Sequence, residues 1–570
     1  MPFGKGLKKS GTKQTIAVPS RALAEYDDVP LDGDLEKTIA FVEDMIGANA
    51  DAVIRRFHMF GKYPAAMFYF CNMVNQTSIH SDLLKPLMYP PPHIDADDIG
   101  LDRLKDVIMN DALYYTGSKL ENKLAALVEN VLRGSTVIAV DGIREAIVVE
   151  TRSIEKRSID QPATEQVIRG PREGFIEPIG TNIALIRYRL QSADLRIESS
   201  EIGRRTKSKV AVCYMEGITN PKLVEEVNKR LSKIDIDGVM DSGYLEQFIE
   251  DNHLSPFPQV QYTERPDKIV ANLLEGRVAI LVDGSPLALV VPTVFSQFYQ
   301  TVEDYTERFL MMSAIRLARL VALMFSLVFP SIYVSIISFN PELIPTEFAV
   351  AVAGGRAGVP FPAVVEVLII EVSMEVLREA TIRLPQQVGG ALSIVGVLVI
   401  GQAAVAAGFA SPITVVIIAL TTIGSFATPA YNAALALRLL RFPLIFMAGI
   451  FGLYGVMIGL ILIANHLLSL KSFGVPYLSP LVPGDFQGMK DLIVRGPLSW
   501  MKDRPSFLRP VDKVKTGGGA AHDVVRQSGL SGEQSEGQSG SSERSDQSGQ
   551  TGQSDPSPKP AADAKREEGG

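Results

Sequence analysis

Hydrophobic and polar positions divide the chain into three stretches of different texture. Up to about residue 310, short apolar runs alternate with charged ones, the pattern of a folded α/β region. Residues 311 to about 470 are dominated by apolar runs of membrane length. From about residue 516 onward, segments such as SGEQSEGQSGSSERSDQSGQTGQ offer little apolar surface to offset chain entropy, so a disordered tail over 516–570 is expected.

Within the first stretch the pattern repeats. VENVLRGSTVIAVDGIREAIVV begins at Val128 and VANLLEGRVAILVDGSPLALVV at Val270, an offset of 142 residues. Each copy predicts a helix end, a glycine C-cap, a strand, an Asp-Gly turn and a second strand. Asp141, Gly142, Asp283 and Gly284 are therefore read as turn residues. The same offset lays Cys71 over Cys213, both in strand-like runs and both expected to be buried thiols. The prediction is two related α/β subdomains, 40–150 and 180–310, joined by a Gly- and Pro-rich linker over 151–179. Residues 1–39 form an extension expected to be flexible.

The second stretch predicts an α-helical polytopic membrane domain over 311–470, with four or five helical segments. Leu320 to Phe339 carries no charge and is long enough for one span. Leu384 to Leu437 is also uncharged, and Ser411-Pro412 divides it into spans near 389–409 and 412–430. Phe442 to Leu470 supplies another, with His466 neutral. Gly396, Gly401, Ala404 and Gly408 mark close helix packing. Gly355, Gly358, Pro360 and Pro362, in GRAGVPFP, break a helix at the membrane edge. Together with Gly396, Gly401 and Pro412 they are the packing or hinge candidates. A basic juxtamembrane segment follows over 471–515.

The fifth candidate, about 359–382, breaks the apolar rule. In EVSMEVLREATIRLP, Glu371, Glu375, Glu379 and Arg383 fall four apart, one stripe along a helix, and Glu366 and Arg378 add charge nearby. An unpaired charge in hydrocarbon costs about 2.5–3.5 kcal/mol on insertion scales. Three readings stand: local pairs at the membrane surface, salt bridges to other helices or subunits, or a water-filled path whose carboxylates select cations.

Charge narrows the function classes. The formal net charge is −8, with no basic nucleic-acid footprint. Two cysteines are too few for a disulfide scaffold or zinc cluster. No HExxH, GxxxxGK[ST] or GxSxG motif occurs, so neither an enzyme nor a cofactor is expected. No apolar core of signal-peptide length occurs before Leu31. Arg308, Arg316 and Arg319 lie before the first span and a basic segment after the last, which places both ends on the cytoplasmic side. That needs an even number of crossings, whereas five are counted. One is then re-entrant, interfacial or no span, and the charged helix is the first suspect.

Several stretches resemble the GerA family of spore germination proteins, the A subunits of nutrient germinant receptors. They are ILVDGSPLALVVPTVF (280–295), YTERF (305–309), GRAGVPFP (355–362), EVLREATIRLP (375–385), SIVGVLVIGQAAVAAGFASP (393–412), SFATP (425–429) and FGVPYLSPL (473–481). The resemblance covers about residues 40–510 and leaves out the tail. It implies a role in starting germination of dormant endospores. It also implies residence in the spore inner membrane, with the N-terminal region on the core side. The partners implied are a permease-like B subunit and a lipoprotein C subunit, with membrane lipid around the spans and a homo-oligomer of the chain itself. The chain then reads as a transducer, either as an oligomeric ion channel or as a membrane-anchored scaffold recruiting other germination proteins.

Overall fold

The computed structural model describes residues 23–89, 99–113, 117–153, 161–383, 401–485 and 488–515. The tail and Gly396 lie outside the described residues.

Two antiparallel sheets form the N-terminal α/β region. The first holds β1 (Ala52–Met59), β2 (Tyr63–Phe70), β3 (Ser118–Glu121), β4 (Thr136–Val140) and β5 (Ala146–Val149), in the order β1-β2-β4-β5-β3. The second holds β6 (Leu195–Ile202), β7 (Ser208–Met215), β8 (Gln261–Thr263), β9 (Val278–Val282) and β10 (Ala288–Val291), in the equivalent order β6-β7-β9-β10-β8. Central strands β4 and β9 are buried at every position, which their unbroken apolar runs require of a sheet covered on both faces. In the first sheet, α1 (Leu35–Ile46) and α2 (Leu124–Leu132) cover one face, and helical segments around Leu83 and Leu104 the other. In the second, α3 (Ile179–Arg189), α4 (Pro221–Ser232), α5 (Ser242–Ile249) and α6 (Pro266–Glu275) do the same, with α4 and α5 opposite α3 and α6.

The Asp-Gly turns do more than reverse the chain. Gly142 and Gly284 both have positive φ, 80° and 85°, as such turns require. The Asp141 Oδ1 accepts a hydrogen bond from the Leu35 N–H (3.3 Å), and the Asp283 Oδ1 from the Ile179 N–H (3.1 Å). Leu35 and Ile179 are the first residues of α1 and α3, so each turn caps the helix that precedes its subdomain's sheet.

The repeat is shifted in one place. Val140 pairs with Ala65 and Val282 with Val210, so β2 and β7 correspond at an offset of 145 rather than 142. The expected overlay of Cys71 on Cys213 therefore fails. Cys213 sits opposite Ala279 inside β7, at the place Phe68 takes opposite Val137 in the first sheet, while Cys71 lies just past the end of β2. Insertions between helix and strand change the offset without disturbing the register that the core imposes. The Cys213 thiol is pushed up to about 12 by burial, and the half-buried Cys71 thiol is raised by the same cause. The extension also ends earlier than expected. Leu31 is buried, its N–H donates to the Asn122 carbonyl (2.8 Å), and α1 begins at Leu35.

A buried ion pair docks the two subdomains. Arg187 of α3 grips Asp51 through two hydrogen bonds of 2.6 Å and lies over the Phe70 ring.

Among the described residues the apolar bundle includes α7 (Phe309–Phe339), α8 (Thr346–Arg356), α9 (Ala363–Arg383), α10 (Pro412–Phe426) and α11 (Tyr431–Ser469), and most of the span expected near 389–409 lies outside the described residues. Two of them, α7 and α11, are long and apolar enough to cross a membrane. The expected single span over 442–470 is not one rod. Gly452 leaves the helical region (φ 60°, ψ −142°) and the chain reverses there. A Cβ on Gly455 would collide with the Met447 carbonyl, and one on Gly459 with Leu444, contacts impossible along a straight helix of 1.5 Å rise. Both ends of α11 return to the second subdomain: the Ala430 N–H donates to the Phe298 carbonyl (3.3 Å), and His466 meets Ser255 (2.9 Å). The segment is a helical hairpin with its tip against Phe339, at the far end of α7.

Candidate functional site: a charged core in the bundle and the joint above it

Helix α9 runs antiparallel to the first arm of α11. A Cβ on Gly449 would stand 2.6 Å from Val364, so that glycine lets the two helices touch near the far end. Moving toward the soluble region, Glu371 meets Arg441 and Glu375 meets Arg438. The Arg441 Nη1 lies 2.8 and 2.9 Å from the two Glu371 oxygens, and both side chains are 2% exposed. Glu375 takes Arg378 at 2.5 Å and Arg438 at 3.4 Å. Glu379 pairs with Arg383 one turn on, and both are exposed. The stripe is thus graded, from a sealed interhelical pair to a solvated local one.

The Glu366 carboxylate is fully buried at the other end. One oxygen accepts from the Ser411 N–H (2.5 Å) and the other faces Arg356 (3.3 Å). Ser411 is itself the N-cap of α10, accepting from the Thr414 N–H, with Pro412 in the first turn. Glu366 therefore ties α9 to the loop that starts α10. The break in GRAGVPFP falls between α8 and α9, with Pro360 and Pro362 just ahead of Ala363. Gly358 packs its carbonyl 3.0 Å from where a Gly408 Cβ would lie. Gly355 is uncrowded beside Pro412, and Gly401 faces Val415.

The guanidinium groups are only partly satisfied. Among the described residues, Nε and Nη2 of both Arg438 and Arg441 are buried without a hydrogen-bond partner. The α7–α10 contact is also polar: Ser331 and Thr414 are buried, and the Tyr333 hydroxyl bonds Thr414 (3.0 Å). Arg438 and Arg441 were not among the expected site residues. Their signal was available, since they stand between two long uncharged runs, 384–437 and 442–470.

Sequence reasoning also missed the joint between bundle and soluble region. Arg316, expected ahead of the first span, lies inside α7 and is fully buried. Its Nε meets Asp304 (3.0 Å) and its Nη1 meets Asp491 (2.7 Å). Tyr305 donates to Asp491 (2.6 Å), and Arg495 to the Glu307 carbonyl (2.9 Å). The Tyr299 phenol, pushed up to about 12 by burial, donates to the Leu492 carbonyl (3.0 Å). Residues 471–515 form a strap folded back on the second subdomain. The strap opens with a short hairpin, β11 (Lys471–Ser472) and β12 (Val475–Pro476), whose Ser472 hydroxyl donates to the Gln259 carbonyl (2.7 Å). Its last turn reaches the Ile218 carbonyl through the Val511 N–H (2.9 Å).

Residues 40–507 match the family described as the Bacillus/Clostridium GerA spore germination protein. Spore germination protein KA of Bacillus subtilis (strain 168) is 43% identical over 488 residues, 85% of this chain and 88% of that protein. The uncharacterized membrane protein YfkQ of the same organism is 40% identical over 486 residues, 85% of this chain and 93% of that protein. The crystal structure of the N-terminal domain of the A subunit of the Bacillus megaterium spore germinant receptor GerK3 is 34% identical. It covers 47% of this chain and 97% of its own, with a TM-score of 0.38. On the extent of the family match and the identity to these relatives, the chain belongs to the GerA family of spore germination proteins, the A subunits of germinant receptors.

Proposed function

We propose that the chain is the membrane subunit of a nutrient germinant receptor that converts germinant sensing into ion movement. In this reading it assembles as a homo-oligomer in the spore inner membrane, with its soluble region on the core side. A permease-like B subunit and a lipoprotein C subunit are its partners. The observation that carries the reading is the buried charge of the bundle, Glu371 with Arg441 and Glu375 with Arg438. A bundle that only anchors a scaffold gains nothing from such pairs, because desolvation offsets most of their attraction and apolar residues pack at least as well. Partly satisfied guanidinium groups in a buried core are better suited to a core that rearranges or admits water.

The test is reconstitution of the purified chain in liposomes with cation flux measured. Glu371→Gln alone leaves Arg441 uncompensated and should cost about 3–5 kcal/mol of stability. The double variant Glu371→Gln/Arg441→Gln should recover assembly while losing flux. Full flux from a correctly assembled double variant contradicts the proposal. A wild-type chain that assembles but passes no ions under any condition favours the scaffold reading.

A further inference from the structure

A cavity of about 390 Å³ lies between the second subdomain and the strap, apart from the charged core of the bundle. That size suits a small organic molecule. Helix α6 and the turn after β10 form one wall, and strap residues Trp500, Arg504 and Phe507 form the other.

One buried donor on the wall has unmet bonding capacity. Arg277, 2% exposed, spends Nη1 on the Pro292 carbonyl (2.5 Å) and on Gln297 (2.9 Å), while its Nε makes no hydrogen bond and has only Glu275 at 3.6 Å. Buried groups of this kind cost stability unless something binds them.

The charge of the lining selects the occupant. Its carboxylates are engaged: Asp267 with Arg265 (2.8 Å), Asp491 with Arg316 (2.7 Å), and Glu275 between Arg277 (3.6 Å) and Lys515 (4.0 Å). Asp503 is engaged as well. Lys490 and Lys502 also line the cavity, and neither has an ion-pair partner among the described residues. Surplus positive charge therefore faces an aromatic wall. We propose that the cavity binds a small carboxylate bearing a flat aromatic or apolar group, its anion toward Arg277 and Lys490 and its ring against Trp500 and Phe507. The occupant would bridge second subdomain and strap next to Asp491. Any effect on the bundle rests on the proposed function, but binding itself does not.

Trp500 is the chain's single tryptophan, so its fluorescence reports on this cavity alone. Full-length chain in detergent is titrated with benzoate, and with benzylamine and benzyl alcohol as cationic and neutral rings of the same size. The expected result is a saturable change with benzoate, with the other two at least about tenfold weaker. Ala271→Phe, on the exposed side of α6 facing the cavity, should abolish saturation without lowering the melting temperature. Lys490→Gln should weaken benzoate about tenfold. Equal responses to the three probes, or benzoate binding unchanged by Ala271→Phe, overturns the proposal.

Discussion

Glu246 shows how much one side chain's surroundings decide. It sits on α5 near Glu250 and Asp241, with Tyr262 of β8 facing it. Burial first, and then those two carboxylates, raise its carboxyl from 4.5 to about 7. The folded state therefore holds a proton that the unfolded state releases between pH 4.5 and 7. The resulting stability is fully present below 4.5 and is lost as pH rises through about 7. The wild-type melting temperature should fall between pH 5 and 8 by more than that of Glu246→Gln. Parallel profiles for the two proteins would remove Glu246 as the cause. Nothing in SGYLEQFIED marks Glu246 apart from Glu250. Its proton depends on neighbours brought in by β8 and the turn before α5. The glutamate stripe differs, because its spacing was visible in the sequence. Even there the residues that answer it, Arg438 and Arg441, come from a helix that begins 48 residues after Arg383, at Tyr431.

At the scale of elements, glycines decide the outcome. FMAGIFGLYGVMIG carries Gly449, Gly452, Gly455 and Gly459, of which only Gly452 has positive φ. Gly449 admits α9, Gly452 reverses the chain, and Gly455 and Gly459 let the two arms of the hairpin meet. With Cys71 and Cys213 replaced, a cysteine at Tyr454, which is 79% exposed beside the tip, should label from the membrane face opposite the soluble region. One at Lys490 should label from the same face as the soluble region. A straight helix through Gly452 would bury position 454 in mid-membrane and leave it unlabelled from either side. Hydropathy could not separate these cases, since hairpin and rod have the same composition. The glycine spacing held the information, but a packing stripe on one straight helix uses the same spacing. The repeat was far more legible, because Asp-Gly turns and glycine C-caps each have one local explanation.

Across the whole molecule, the strap connects what the chain order separates. Asp491 joins the strap to Arg316 of α7 and to Tyr305, so the segment after the apolar hairpin is tied to the beginning of α7. Asp491→Asn should loosen this joint. Trypsin cleavage at Lys490 and Lys502 in the full chain should then speed up about tenfold, while α7 and the hairpin stay protected. Unchanged cleavage would show that Asp491 does not hold the strap. Composition read residues 471–515 as a basic juxtamembrane segment, because charge at a span's end is a local cue and folding back is not. What the sequence determined by itself was the local grammar: a duplicated α/β region, an apolar helical region, capped turns, and a charged stripe at helical spacing. Each follows from periodicity and backbone preference within a few turns of chain. The tertiary structure alone decided which arginines neutralise the stripe, where the last span reverses, and what the strap covers. Those outcomes depend on contacts between residues tens to hundreds of positions apart, and only burial of the shared core selects among them.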